Sequence, residues 1–125
     1  FALNANTTGT GNIAVGRESL KTATSSLYNT AVGGYSLKVV TGNGNIGIGY
    51  QAGDNISSGD GNVVIGNADV ASATGNDQLS ISSGDDGSVV WISGDSSANV
   101  VIGGTVTEYG GASLTTTGKA LVMGF

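Results

Sequence analysis

The sequence predicts an all-β fold, a parallel β-roll or β-helix solenoid of 16–17-residue repeats closed by a C-terminal β cap. Three observations predict it: a five-residue motif recurring at near-constant spacing, an excess of glycine, and the lack of any helical apolar period. The motif Asn12-Ile13-Ala14-Val15-Gly16 returns as Asn29-Thr30-Ala31-Val32-Gly33, Asn45-Ile46-Gly47-Ile48-Gly49 and Asn62-Val63-Val64-Ile65-Gly66, at spacings of 17, 16 and 17 residues. Glycine fills 23 of 125 positions, proline and cysteine are absent, and only 10% of residues are charged. Collagen is excluded, because no Gly-x-y period exists. Disorder is disfavoured by a hydrophobic fraction of 38% and a net charge of only -5. An ordered chain this rich in glycine needs one tight turn many times over.

Taking the asparagine as position 0, position 3 is always Val or Ile and position 4 always Gly. Leu3 falls at position 8 of an earlier coil, so the sequence is expected to start inside a repeat. Each coil then reads as a strand over positions 0 to 3, a glycine turn, a short extended segment around position 8, and a return turn. Position 8 is Leu20, Leu37, Gly53 and Val70; the return turns carry Thr10-Gly11, Gly42-Asn43-Gly44 and Gly59-Asp60-Gly61, with Leu27-Tyr28 the exception. Sixteen residues past Asn62, Gln78-Leu79-Ser80-Ile81-Ser82 keeps the apolar positions 1 and 3 but loses the glycine. A last copy, Asn99-Val100-Val101-Ile102-Gly103, follows an interruption that contains Val89-Val90-Trp91-Ile92. The organisation expected is a repeat shaft over 1–82 and a C-terminal β cap or tip over 83–125.

So small a unit forms no core alone and is stabilised by stacking. Stacking is expected to bury Val15, Val32, Ile48 and Ile65 in one internal row. Ala14, Ala31, Gly47 and Val64 are expected on a second face, where separate chains approach closely, most simply in a homotrimer. Asn12, Asn29, Asn45 and Asn62 are expected to hydrogen-bond to their equivalents above and below. Gly16, Gly33, Gly49 and Gly66 are expected in a backbone conformation closed to residues with a Cβ.

The run Asn29-Thr30-Ala31-Val32-Gly33-Gly34-Tyr35-Ser36-Leu37 resembles the repeats of phage tail fibres and is similar to the head repeats of trimeric autotransporter adhesins. The resemblance covers roughly residues 1–82. Adhesin heads generally use a shorter unit with a Ser-Val-Ala-Ile-Gly core, so the spacing here is closer to the phage type. The stretch from Ser113 to Phe125 resembles the ends of marine phage structural proteins. The resemblance implies an intertwined homotrimer on a virion tail fibre, or on a cell surface, that supports attachment to a host glycan or receptor. Two other functions stay open: a bacterial adhesin head or extracellular filament subunit, and a glycan-degrading tailspike.

Composition bears on chemistry as well. Without histidine or cysteine, the commonest general base and the thiolate metal sites are missing. Arg17, Lys21, Lys38 and Lys119 are the only cations, too few for a row of phosphates, so nucleic acid is not an expected partner. No apolar run approaches the roughly 20 residues of a membrane helix, and the N-terminus lacks the parts of a signal peptide, so no membrane insertion is expected. No cofactor is expected either. The glycine-rich turns invite a calcium reading, but calcium β-rolls repeat about every nine residues and use aspartate where this chain has asparagine. Asp85-Asp86 are the only adjacent carboxylates and read as a turn, so no catalytic residue is assigned and an enzyme is not expected. Trp91 reads first as a packing residue, and its functional alternative is a candidate glycan contact, a sugar-stacking platform shared with Tyr109. Tyr35 and Tyr50, near positions 5 and 6, are expected on the outer surface.

Overall fold

The computed structural model describes residues 1–104. It is a β-solenoid of about four turns with no helix among the described residues. Seven strands, β1 (Ile13–Val15), β2 (Thr30–Val32), β3 (Ile46–Ile48), β4 (Val63–Ile65), β5 (Leu79–Ser82), β6 (Val90–Gly94) and β7 (Val100–Ile102), follow one another in a single sheet. From β1 to β5 all pairs are parallel and in register, so Val15, Val32, Ile48, Ile65 and Ile81 form one column.

That column is stacked but not buried, which corrects the expected internal row: Val15, Val32, Ile48 and Ile65 are 58%, 38%, 42% and 40% exposed. The reason is the alternation of side chains along a strand. In a three-residue strand, positions 1 and 3 share one face and only position 2 faces the other. Position 2 is the inward one here, with Ala31 and Val64 fully buried. The second face proposed for Ala14, Ala31, Gly47 and Val64 is therefore the coil's own interior.

The interior explains the residue sizes. Position 2 faces Leu20 and Leu37 across a narrow coil, and a Cβ on Gly47 would lie 2.8 Å from the Leu37 side chain and 2.8 Å from the Ala52 carbonyl oxygen. Where position 8 shrinks to Gly53, the space is taken by Ile56 and Val64, whose methyls would sit 2.9 and 3.2 Å from an added Cβ. Small and large positions thus trade volume between coils, as close packing demands. A third interior site, at position 11, is filled by Ala23, Val40 and Ile56.

The turns stack as regularly as the strands. Leu20 and Leu37 at position 8 adopt φ of 48° and 47°, and Tyr35 and Gln51 at position 6 adopt 62° and 56°. This left-handed conformation costs a residue with a Cβ about 1–2 kcal/mol. It persists because each amide is claimed by a neighbouring coil: Leu37 N donates to Ala52 O at 3.0 Å, and Tyr35 N to Arg17 O at 2.7 Å.

At Ser82 the position-4 glycine is gone, β5 runs to four residues, and the register shifts between Ile81 and Ser82. Strand β6 then pairs with β5 antiparallel, and β7 with β6 likewise. The motif copy at Asn99 therefore does not form a coil. Its asparagine serves the β6–β7 turn instead, with Nδ2 donating to the Asp95 carboxylate at 2.9 Å.

Candidate interaction surfaces

Buried polar groups show first what the repeat residues do. The Asn29 side-chain oxygen accepts the backbone N–H of Asn45 at 2.9 Å and its Nδ2 at 3.2 Å, and Asn45 does the same for Asn62 at 2.9 and 3.0 Å. Asn12 starts the column by accepting from Asn29, and Gln78 ends it by donating to Asn62. Each Nδ2 also donates to a turn carbonyl: Asn29 to Gly42, Asn45 to Gly59 and Asn62 to Gly75. The Gly42 and Gly59 oxygens belong to turns that invited a calcium reading, and amide donors already engage them. Among the described residues no group of three or more carboxylates is placed to hold a metal ion.

The glycines at position 4 form a second column, with φ of 122°, 134°, 136° and 106° for Gly16, Gly33, Gly49 and Gly66. A Cβ on Gly16 would meet the carbonyl of Gly33 at 2.6 Å, and each later glycine faces the next coil's carbonyl in the same way.

What these columns leave outside is a sheet face without charge. Positions 1 and 3 from β1 to β5 present nine aliphatic side chains and Thr30, and the register carries the face on to Ile92 and Ile102. This continuous stack of exposed aliphatic side chains is a candidate interaction surface, although Tyr28, Val39, Trp91 and Val101 are exposed elsewhere on the chain.

A second surface follows the turns between positions 5 and 9. On the first three coils it holds Arg17, Lys21, Tyr35, Lys38 and Tyr50. From the third coil onward Gln51, Asp54, Asn67, Asp69 and Asp86 line a shallow cleft of about 330 Å³. Partial burial, and then the neighbouring Asp54 carboxylate, push the Asp69 carboxyl above its ordinary value of 3.8. The folded chain therefore holds this proton more tightly than the unfolded chain does. The associated stability is complete below the unfolded pKa and is lost as pH rises through the folded one. Asp69→Asn is expected to raise the melting temperature at pH 7 and to lose that advantage at pH 3; equal shifts at both pH values would count against the repulsion. Asp86 is held low instead, because its carboxylate accepts from Ser88, whose N–H lies 2.9 Å from Oδ1.

Of the two candidate glycan contacts, one is described. Trp91 on β6 is 54% exposed, and Tyr109 lies outside the described residues, as does much of the expected cap. A larger cleft of about 470 Å³, lined by Val70, Leu79, Val90 and Val101 among others, lies between the last parallel coil and the β6–β7 hairpin. Sequence reasoning missed the cationic cluster, although a signal existed: position 9 reads Lys21, Lys38, then Asp54. No protein-family model, curated protein or solved structure matches the chain, so its functional reading rests on these surfaces alone.

Proposed function

We propose that the chain is a structural segment of a trimeric fibre, of the kind that forms a phage tail-fibre shaft and holds a host-attachment surface away from the particle. The observation that carries this reading is the uncharged aliphatic face of β1 to β5. In a single chain it stays in water, at a cost of about 25 cal/mol for each Å² of apolar area left uncovered. Three copies winding about one axis would cover it along their whole length, and the same register that aligns Val15 with Val32, Ile48 and Ile65 would keep the contact continuous from coil to coil. The site of such a fibre is a virion or a cell surface, with a receptor or surface glycan as the attachment partner.

The test is sedimentation equilibrium on the isolated chain, with three times the 12.2 kDa of one chain as the expected mass. Ile48→Asp combined with Ile65→Asp is expected to yield a monomer that keeps its β-sheet circular dichroism, because both side chains are already 40% or more exposed. A wild-type chain that stays monomeric at micromolar concentration overturns the reading. So does a double variant that keeps the trimer mass.

A further inference from the structure

The described part of the chain is electrically lopsided. Its only cations, Arg17, Lys21 and Lys38, lie on the first two coils beside one carboxylate, Glu18. From residue 51 to residue 104 every charged residue is an aspartate. Glu18 Oε2 is shared by Lys21 at 3.2 Å and Lys38 at 3.6 Å. Arg17 has no ion pair among the described residues, and its guanidinium lies 5.5 Å from the Tyr35 ring centre, with Lys38 Nζ 5.1 Å from the same ring. Tyr50 meets Tyr35 edge to face at 5.8 Å and is itself 52% exposed.

Balancing the charge of Glu18 would need one cation, not three. Surface ion pairs stabilise by only about 0–1 kcal/mol. Lys21 and Lys38 also occupy the same position on successive coils, where strands lie about 4.8 Å apart and like charges repel. A ridge built this way has spare positive charge and an apolar ring surface next to it.

We propose that the ridge of Arg17, Tyr35, Lys38 and Tyr50 binds an acidic saccharide, its carboxylate or sulfate seated on Arg17 and Lys38 and a sugar ring against Tyr50. Arginine matches a planar carboxylate with two parallel hydrogen bonds. The ridge does not suit an acidic peptide added as a strand, because its backbone donors are already used between coils: Tyr35 N is bonded to Arg17 O, and Gln51 N to Gly34 O. It does not suit nucleic acid, whose dense phosphates would continue from three cations onto Asp54, Asp69 and Asp86. The same carboxylates limit the charged part of the ligand to about the length of the ridge. The proposal rests on the attachment part of the proposed function and names its class of glycan, while the ridge it uses is separate from the uncharged face that carries the shaft reading.

The experiment is calorimetric titration of the full chain with tetragalacturonate, with a sulfated galactose tetramer as a second arm that separates carboxylate from sulfate recognition. Neutral galactotetraose is the control. Binding of one or both acidic tetramers is expected, at least tenfold tighter than the neutral one and weakened as salt rises. Arg17→Gln and Lys38→Gln should each weaken it about tenfold, and Asp54→Asn should tighten it. Circular dichroism and sedimentation of each variant show whether fold and mass are kept, so loss of binding at unchanged mass is separable from failure of the trimer. Equal affinity for the neutral tetramer overturns the proposal, as does unchanged affinity in both cation variants. Tighter binding of an octathymidylate or of tetraglutamate overturns it too.

Discussion

Gly33→Val is expected to destabilise the chain by at least about 3 kcal/mol, a large share of the 5–15 kcal/mol by which a domain of this size is usually stable. Two penalties act together. Gly33 has φ of 134°, which a β-branched residue does not tolerate, and its Cβ would sit on the carbonyl of Gly49 in the next coil. Backbone cannot yield there as a flexible side chain would, because Gly49 N is itself bonded to Val32 O at 2.8 Å. Urea denaturation measures the loss, and an unchanged midpoint would refute the turn geometry. Gly34→Ala next to it is the natural control, since a Cβ at that position has only ordinary contact with Tyr50, at 3.5 Å.

Asn45→Ala is expected to cost about 3–5 kcal/mol through a different mechanism. Asn45 is fully buried, and its amide serves three partners: it accepts from Asn62 and donates to Asn29 and to the Gly59 carbonyl. Truncation leaves the Asn62 N–H and the Gly59 oxygen without these partners, each at about 1–3 kcal/mol. Asn12→Ala, at the start of the column and only part-buried, should cost clearly less. Equal effects at the two sites would show that the column has no cooperative interior. Hydrogen exchange of the Asn62 amide gives an independent reading, because this proton loses its acceptor in Asn45→Ala and keeps it in Asn12→Ala.

The period, the strands and the glycine turns were legible in the sequence because they recur with residue type. Which strand face points inward was not. Val and Ile at position 3 look like core residues, whereas Ala and Gly at position 2 look like spacers, and only the narrowness of the coil reverses that assignment. Position 11 was missed because Ala23, Val40 and Ile56 share no residue type. The left-handed leucines at position 8 contradict local preference, and hydrogen bonds from neighbouring coils override it. Asn99 shows the limit of motif reading: the same five residues that build a coil at Asn62 build a hairpin strand once the preceding chain supplies no coil beneath them. The cationic ridge required knowing that residues 17, 21, 35 and 38 lie side by side on successive turns, which spacing suggests only after the coil length is fixed.

The asparagine column has a consequence for length. Every rung offers upward the same oxygen that it receives from below, so a coil is interchangeable with its neighbour as far as this network is concerned. Removing residues 29–44 would join Tyr28 to Asn45 and set Asn45 directly on Asn12, with the glycine column still in step. The product would be one rung shorter, by about 4.8 Å, without a new kind of contact. Adding rungs would lengthen it by the same increment. A gene for such a protein acts as a ruler graduated in units of 16 or 17 codons, and changes of any other size would throw the two columns out of step.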